Sequence, residues 1–202
     1  MFDKTCVILC GGKSSRMESN KTILPFGSHL LITYQITKLS MIFTNIAIAL
    51  KENKKDEILR ILYNKKINLK NIQIITEDLS YFSPLFGILN CFDRLSLSEI
   101  FFIPVDYPFI KESTIDTLLK NNDECDIIYA KDSHKLHPLI GIWKKSTKDK
   151  IIKSLKNNQF KILDFLSLCS TKAISFQSDE FINLNTKQDY KNALKILREK
   201  YG

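Results

Sequence analysis

Short apolar runs alternate with amphipathic stretches along this chain. Cys6, Val7, Ile8 and Leu9 form an apolar run too short for a helix and empty directly into Gly11, Gly12, Ser14 and Ser15. That order predicts a buried parallel strand followed by a backbone-rich loop. Residues 23–27 read as a short extended piece and turn. Over 30–43, Leu31, Tyr34, Leu39, Ile42 and Phe43 recur at helical spacing. A second strand is predicted over 45–50, and a helix over 52–66 with Ile58, Ile61, Leu62 and Tyr63 on one face. A third strand over 72–76 leads to Glu77 and Asp78. Residues 83–87 open an apolar helix through Phe92, and 100–105 make the most hydrophobic strand, ending at Asp106.

The second half predicts a helix over 112–119, a strand over 125–130, a turn at His137 and Pro138, and a strand over 139–143. Helices over 147–155 and 162–168, a strand over 173–176 and a closing helix over 187–200 follow. Strands alternating with helices predict an α/β fold, with a mostly parallel sheet covered by helices on both faces. With 202 residues, no internal repeat and no linker, the chain reads as one domain.

Composition narrows the classes. The 44% hydrophobic and 26% charged content is that of an ordinary globular protein. No apolar run approaches the roughly 18 residues of a membrane-spanning helix, and the N-terminal apolar stretch is too short for a signal peptide. The expectation is a cytoplasmic protein with no membrane partner. Five cysteines without a CxxC pair read as buried free thiols. The net charge of +8 is spread over many polar faces without interleaved aromatics. It predicts a bias toward anionic small substrates and no nucleic-acid partner.

The chemistry concentrates near the first loop. Glycine amides approach a ligand closely, consecutive amides make a concave anion site, and Lys13, Arg16 and Lys21 add positive charge within the same stretch. A phosphate chain fits such a loop; a simple tight turn explains the two glycines as well. Neither GxxxxGK[ST] nor GxGxxG is present. Asp106, at the carboxyl end of a central apolar strand, suits a magnesium ion, or else caps the turn before Pro108. Glu77 and Asp78 alone read as a solvated turn. A lone His137 is a structural group more often than a catalyst. Thr186 reads as an N-cap and Asn183 and Asn185 as turn formers.

The pattern L-x-G-G-x-S-x-R-M-x-x-x-K, present as Leu9, Gly11, Gly12, Ser14, Arg16, Met17 and Lys21, resembles the nucleotide-binding signature of the MobA-like nucleotidyltransferases. Within them it is most similar to the guanylyltransferase branch that serves the molybdenum cofactor. Further resemblances follow in order: Asp106-Tyr107-Pro108, SPLFG at 83–87, His137-Pro138, and N-x-N-T at 183–186. The resemblance implies a Rossmann-like nucleotidyltransferase fold, with a nucleotide half over about 1–106 and an acceptor half over about 107–202.

It also implies that GMP passes from GTP to molybdopterin in its metal-bearing form, with Mg²⁺ and release of pyrophosphate. GTP binding then falls to Leu9, Cys10, Gly11, Gly12, Lys21, Asp78 and Asp106. Catalysis falls to Arg16, Lys21 and Asp106, the metal to Asp106, and the acceptor to His137, Asn183 and Asn185. Other cofactor-biosynthesis proteins and recipient molybdoenzymes are the implied partners.

Three positions depart from the pattern: Glu18 where glycine is usual, Asn20 where aspartate is usual, and Ser83 in place of a glycine, which predicts a less permissive turn there. Cytidylyltransferases of the same pterin, which read Leu-Ala-Ala-Gly at the first loop, are the alternative that the second glycine disfavours. A sugar-phosphate nucleotidyltransferase or a catalytically silent nucleotide-binding module are the others.

Overall fold

The structure is a computed structural model that describes residues 2–11, 21–77, 83–121 and 124–201. In chain order the elements are β1 (Phe2–Leu9), β2 (Pro25–Phe26), β3 (His29–Leu30), α1 (Leu31–Leu39), β4 (Phe43–Lys51), α2 (Lys55–Asn64), β5 (Ile72–Glu77) and α3 (Pro84–Leu95). Then come β6 (Glu99–Pro104), α4 (Glu112–Lys120), β7 (Ile127–Lys131), β8 (Leu136–Lys144), α5 (Thr147–Lys156), α6 (Ile162–Leu166), β9 (Thr171–Ser175) and α7 (Lys187–Tyr201). Seven strands form one sheet in the order β5-β4-β1-β6-β8-β7-β9. All run in one direction except β8, which is antiparallel to both its neighbours. β2 and β3 form a separate small ribbon.

Successive side chains of a strand point to opposite faces, so each central strand feeds two cores. Cys6 and Ile8 of β1, with Phe101 and Ile103 of β6, pack with α1, α2, α4 and Ala193 of α7. Val7 and Leu9, with Ile100 and Phe102, pack with α3, α5 and α6 on the other face. Each fully buried Ile, Leu or Phe contributes on the order of 2 kcal/mol of transfer free energy, and both faces depend on the unbroken apolar runs at residues 6–9 of β1 and 100–104 of β6. Among the described residues no helix is long and apolar enough to cross a membrane.

Most predicted elements form, and the departures have physical causes. The helix predicted to reach Phe43 stops at Leu39, capped by Ser40, because Phe43 begins β4 and pairs with Phe2. The predicted turn at His137 and Pro138 is not one: both lie inside β8. The chain reverses earlier, where Asp132 Oδ1 accepts the amides of His134 at 2.7 Å and Lys135 at 2.6 Å. Pro138 is tolerated in a strand because the ladder is interrupted there. Ala130 pairs with His137 and Tyr129 with Gly141, so Pro138, Leu139 and Ile140 have no counterpart on β7. An insertion of this kind bends the strand and redirects its side chains. Trp143 Nε1 donates to Pro138 O at 2.8 Å and pins it.

Gly141 closes the bulge against β7. A Cβ there meets Ile128 O at 2.1 Å, so the two backbones approach only because the side chain is absent. Gly141→Ala is expected to destabilise the fold by about 2 kcal/mol, the cost of overpacking a tight contact. Urea unfolding of the variant against the parent measures it, and an unchanged midpoint contradicts this role for Gly141.

Candidate functional site

The sheet register builds the site. β1 pairs in parallel with β6, with Leu9 opposite Pro104, so both strands end at one level. The Val105 amide donates to Leu9 O at 3.0 Å, and the Cys10 amide to Ala49 O at 2.8 Å. Cys10 and Gly11 therefore leave the sheet beside Asp106, at the carboxyl edge where open α/β sheets hold ligands.

A cleft of about 260 Å³ opens at this edge. Leu9, Cys10, Gly11 and Lys21 contribute from the first half of the chain, and Asp106, His137 and Asn183 from the rest. The bulge adds Pro138, Leu139 and Ile140. Lys21 Nζ lies 3.0 Å from Asp106 Oδ2 and 2.7 Å from Asn185 Oδ1, joining residues far apart in sequence. Asn185 reaches this point from a segment whose middle residue, Leu184, is buried and donates its amide to Asp106 O at 3.0 Å. The N-x-N spacing thus leaves one asparagine on the cleft and the other on Lys21, with Leu184 in the core. Gly12, Arg16 and Asp78, with Glu18 and Asn20, lie outside the described residues.

His137 is buried, with its side chain only 3% exposed. Its ring stacks on Phe181 at 4.4 Å and meets Tyr107 edge-on. Nδ1 lies 3.4 Å from the Tyr107 hydroxyl, and Nε2 lies 3.3 Å from Asp132 Oδ2. Burial lowers the pKa of His137, and the opposing pull of Asp132 does not restore it. Both ring nitrogens therefore face protein groups, although the residue lines the cleft. Burial pushes the Cys10 thiol up to about 12 against a hydrogen bond from Thr22. A shift in this direction favours the thiol, the weaker nucleophile, over the thiolate.

Glu77, at the end of β5, pairs with Lys51 at 3.2 Å. A Cβ on Gly87 falls 2.4 Å from Glu77 Oε1, so the glycine of SPLFG makes room for this carboxylate. Ser83 does not restrict a turn as its sequence position predicts. It sits in extended backbone as the N-cap of α3 and accepts the Leu85 amide at 3.2 Å. Serine suits that position well.

Sequence reasoning missed Gln35, Lys38 and Tyr107. Gln35 had a legible signal: it lies between Leu31 and Leu39 on the apolar face of α1, where an amide must find partners. Gln35 Nε2 donates to Val105 O at 3.3 Å and to Tyr107 O at 3.0 Å. Lys38 Nζ donates to Pro108 O at 2.9 Å, and burial lowers its pKa to about 8.

Among the described residues no cluster of three or more His, Cys, Asp or Glu is arranged to hold a metal ion. Asp106 offers one carboxylate, and Lys21 beside it marks a position that attracts positive charge. One carboxylate completed by phosphate oxygens suits magnesium, which seldom relies on an all-protein cage.

Residues 6–167 match the MobA-like NTP transferase domain. A molybdenum cofactor guanylyltransferase of Helicobacter pylori (strain G27) is 36% identical over 203 residues, covering 96% of this chain and 93% of the relative. One from Campylobacter jejuni (strain RM1221) is 30% identical over 189 residues, covering 92% of each. Among solved structures, molybdopterin-guanine dinucleotide biosynthesis protein A from Archaeoglobus fulgidus superposes with a TM-score of 0.76 at 19% identity, over 96% of this chain and 99% of that one. A 4-diphosphocytidyl-2C-methyl-D-erythritol synthase from Anaerococcus prevotii gives 0.73 at 14% identity, over 97% and 96%. These two likenesses concern the fold alone.

The lowered pKa of His137 has a defined consequence. The unfolded chain binds this proton more readily than the folded one, so the neutral ring's contribution is complete above the ordinary histidine value of about 6.5 and declines as pH falls below it. Unfolding midpoints are expected to drop as pH falls below about 6.5, with a shallower slope in His137→Gln. An identical slope in the two proteins contradicts this assignment.

Proposed function

Because the chain belongs to the MobA-like NTP transferase family, we propose that it transfers GMP from GTP to molybdopterin in its metal-bearing form, releasing pyrophosphate. The coarser statement, nucleotidyl transfer in molybdenum cofactor biosynthesis, follows from the family and its named relatives. The observation that carries the finer reading is the convergence of Gly11, Lys21 and Asp106 on one cleft.

The chemistry asks little of side chains as acids or bases. An oxygen of the acceptor's terminal phosphate is already ionised and attacks the α-phosphorus of GTP. The bond from that phosphorus to the α,β-bridging oxygen breaks, and its electron pair leaves with pyrophosphate. The barrier comes from bringing two anions together in line. Lys21, with the three donors of its ammonium group, neutralises the triphosphate and the departing pyrophosphate. Asp106 is the residue that would hold Mg²⁺, which when bound would offset charge on the phosphates. The amides at Cys10 and Gly11 hold the nucleotide.

By family resemblance Gly12 is assigned to the base and phosphates, Arg16 to the triphosphate, and Asp78 to the guanine nucleotide. Asn183 and His137 bound the acceptor side of the cleft, and Asn185 orients Lys21 through its 2.7 Å contact. The same reading places the enzyme in the cytoplasm, handing its product to recipient molybdoenzymes with other cofactor-biosynthesis proteins.

Pyrophosphate release from GTP, CTP, ATP and UTP, with Mg²⁺ and with or without molybdopterin, tests the reading. Release from GTP that requires the pterin is expected. A preference for CTP selects cytidylyl transfer, and nucleotide binding without turnover selects a silent module. Lys21→Ala is expected to lower kcat by about 100-fold or more, as removal of a transition-state charge partner does. The Lys21–Asp106 pair lines the cleft with side chains only 15% and 17% exposed, and breaking it is expected to cost less in folding than in turnover. Near-normal turnover in Lys21→Ala contradicts its role.

A further inference from the structure

The backbone that carries Asp106 is held from almost every side. Val105 O and Tyr107 O both accept from the Gln35 amide, and Pro108 O accepts from Lys38. Asp106 O accepts from the Leu184 amide. The Val105 amide donates to Leu9 O and the Tyr107 amide to Pro104 O at 3.3 Å. The run of carbonyls from Val105 to Pro108 is thus engaged without a gap, and three of the four engagements come from side chains on a single helix, α1.

Gln35 is central to this arrangement. Its side chain is fully buried, with 0% exposure. Both neighbours of Nε2 are carbonyl oxygens, which only an amide N–H group can satisfy, so the amide's orientation is unambiguous. Its Oε1 is buried without a hydrogen-bond partner among the described residues. A position serving packing alone does better with leucine or methionine, which leaves no polar atom unpaired. Gln35 keeps that cost and returns two bonds that flank the Asp106 peptide. Lys38, one turn further along α1, extends the grip to the next carbonyl despite the burial of its charge.

We infer that Gln35, assisted by Lys38, is a positioning residue for the cation-binding carboxylate of Asp106. The helix fixes the peptide planes on both sides of Asp106, and these set the direction in which its side chain leaves the strand end. Residues that orient a metal ligand in this way commonly govern metal affinity by about tenfold or more. The inference rests on the reading that Asp106 holds a divalent cation beside the nucleotide. It adds that the strength of that hold is set from a helix with no polar atom in the cleft's chemistry.

The experiment is a Mn²⁺ titration of the full chain, followed by electron paramagnetic resonance, with saturating GTP and no acceptor, so that no turnover is read. Gln35→Met keeps the shape and removes the donors. It is expected to weaken Mn²⁺ binding by about tenfold, with GTP affinity in the absence of metal unchanged. Gln35→Glu turns a carboxylate toward two carbonyls and is expected to weaken it further. Lys38→Met is expected to move in the same direction by less than about tenfold, and it decides the matter if the Gln35 variants do not fold.

Folded variants that bind Mn²⁺ like the parent overturn the inference, and so does a loss of Tm with unchanged Mn²⁺ affinity, which marks a purely structural role. A parent protein that binds no Mn²⁺ in the presence of GTP overturns both the inference and the assignment of Asp106. A parent that binds Mn²⁺ and GTP but transfers nothing to the pterin overturns only the proposed reaction.

Discussion

The pairing of Leu9 with Pro104 across β1 and β6 is the constraint on which the cleft depends. Two parallel strands that stop at the same level must release their following loops side by side. The first loop here brings backbone amides and the second brings a carboxylate. A slip of one residue in that register moves Asp106 along the edge by about 3.3 Å and exchanges the two faces of β6 between the cores. The alternation of Phe101 and Ile103 toward one set of helices, and Ile100 and Phe102 toward the other, forbids the slip. Core packing and site geometry are therefore one requirement.

Around that fixed point the protein places groups of opposite demand. Asp106 is acidic and sits where polyanions are expected, which is tolerable only with positive charge close by. Lys21 supplies it in this structure and is shared with Asn185. The bulge in β8 closes another side of the cleft with Pro138, Leu139 and Ile140. It depends on Gly141 for the close approach to β7 and on Trp143 for the bond to Pro138 O. The strand that runs antiparallel to its neighbours in the sheet carries this bulge, and the bulge faces the cleft.

Much of this was legible in the residues, for identifiable reasons. Strands buried on both faces are apolar at successive positions, so β1 and β6 stand out, and Asp106 stands out as the first acid after the most hydrophobic of them. The N-x-N pattern at 183–185 was readable, although its cause, a buried Leu184 bonded to Asp106 O, was not. The strand through His137 and Pro138 was misread as a turn because proline usually ends a ladder, and a bulge that excuses it is set by β7, a different stretch of chain. Glu77 against Gly87 was hidden for the same reason, since the contact joins two elements. Gln35 and Lys38 were missed because helical spacing shows which face is buried and says nothing of which carbonyls lie beneath it.

The most direct test is a crystal structure of the protein with a non-hydrolysable GTP analogue and Mg²⁺. The expected result is a triphosphate lying between the amides at Cys10 and Gly11 and the carboxylate of Asp106, with Mg²⁺ held by that carboxylate and Lys21 turned to the phosphates. A nucleotide bound elsewhere, or a metal site that does not include Asp106, contradicts the account.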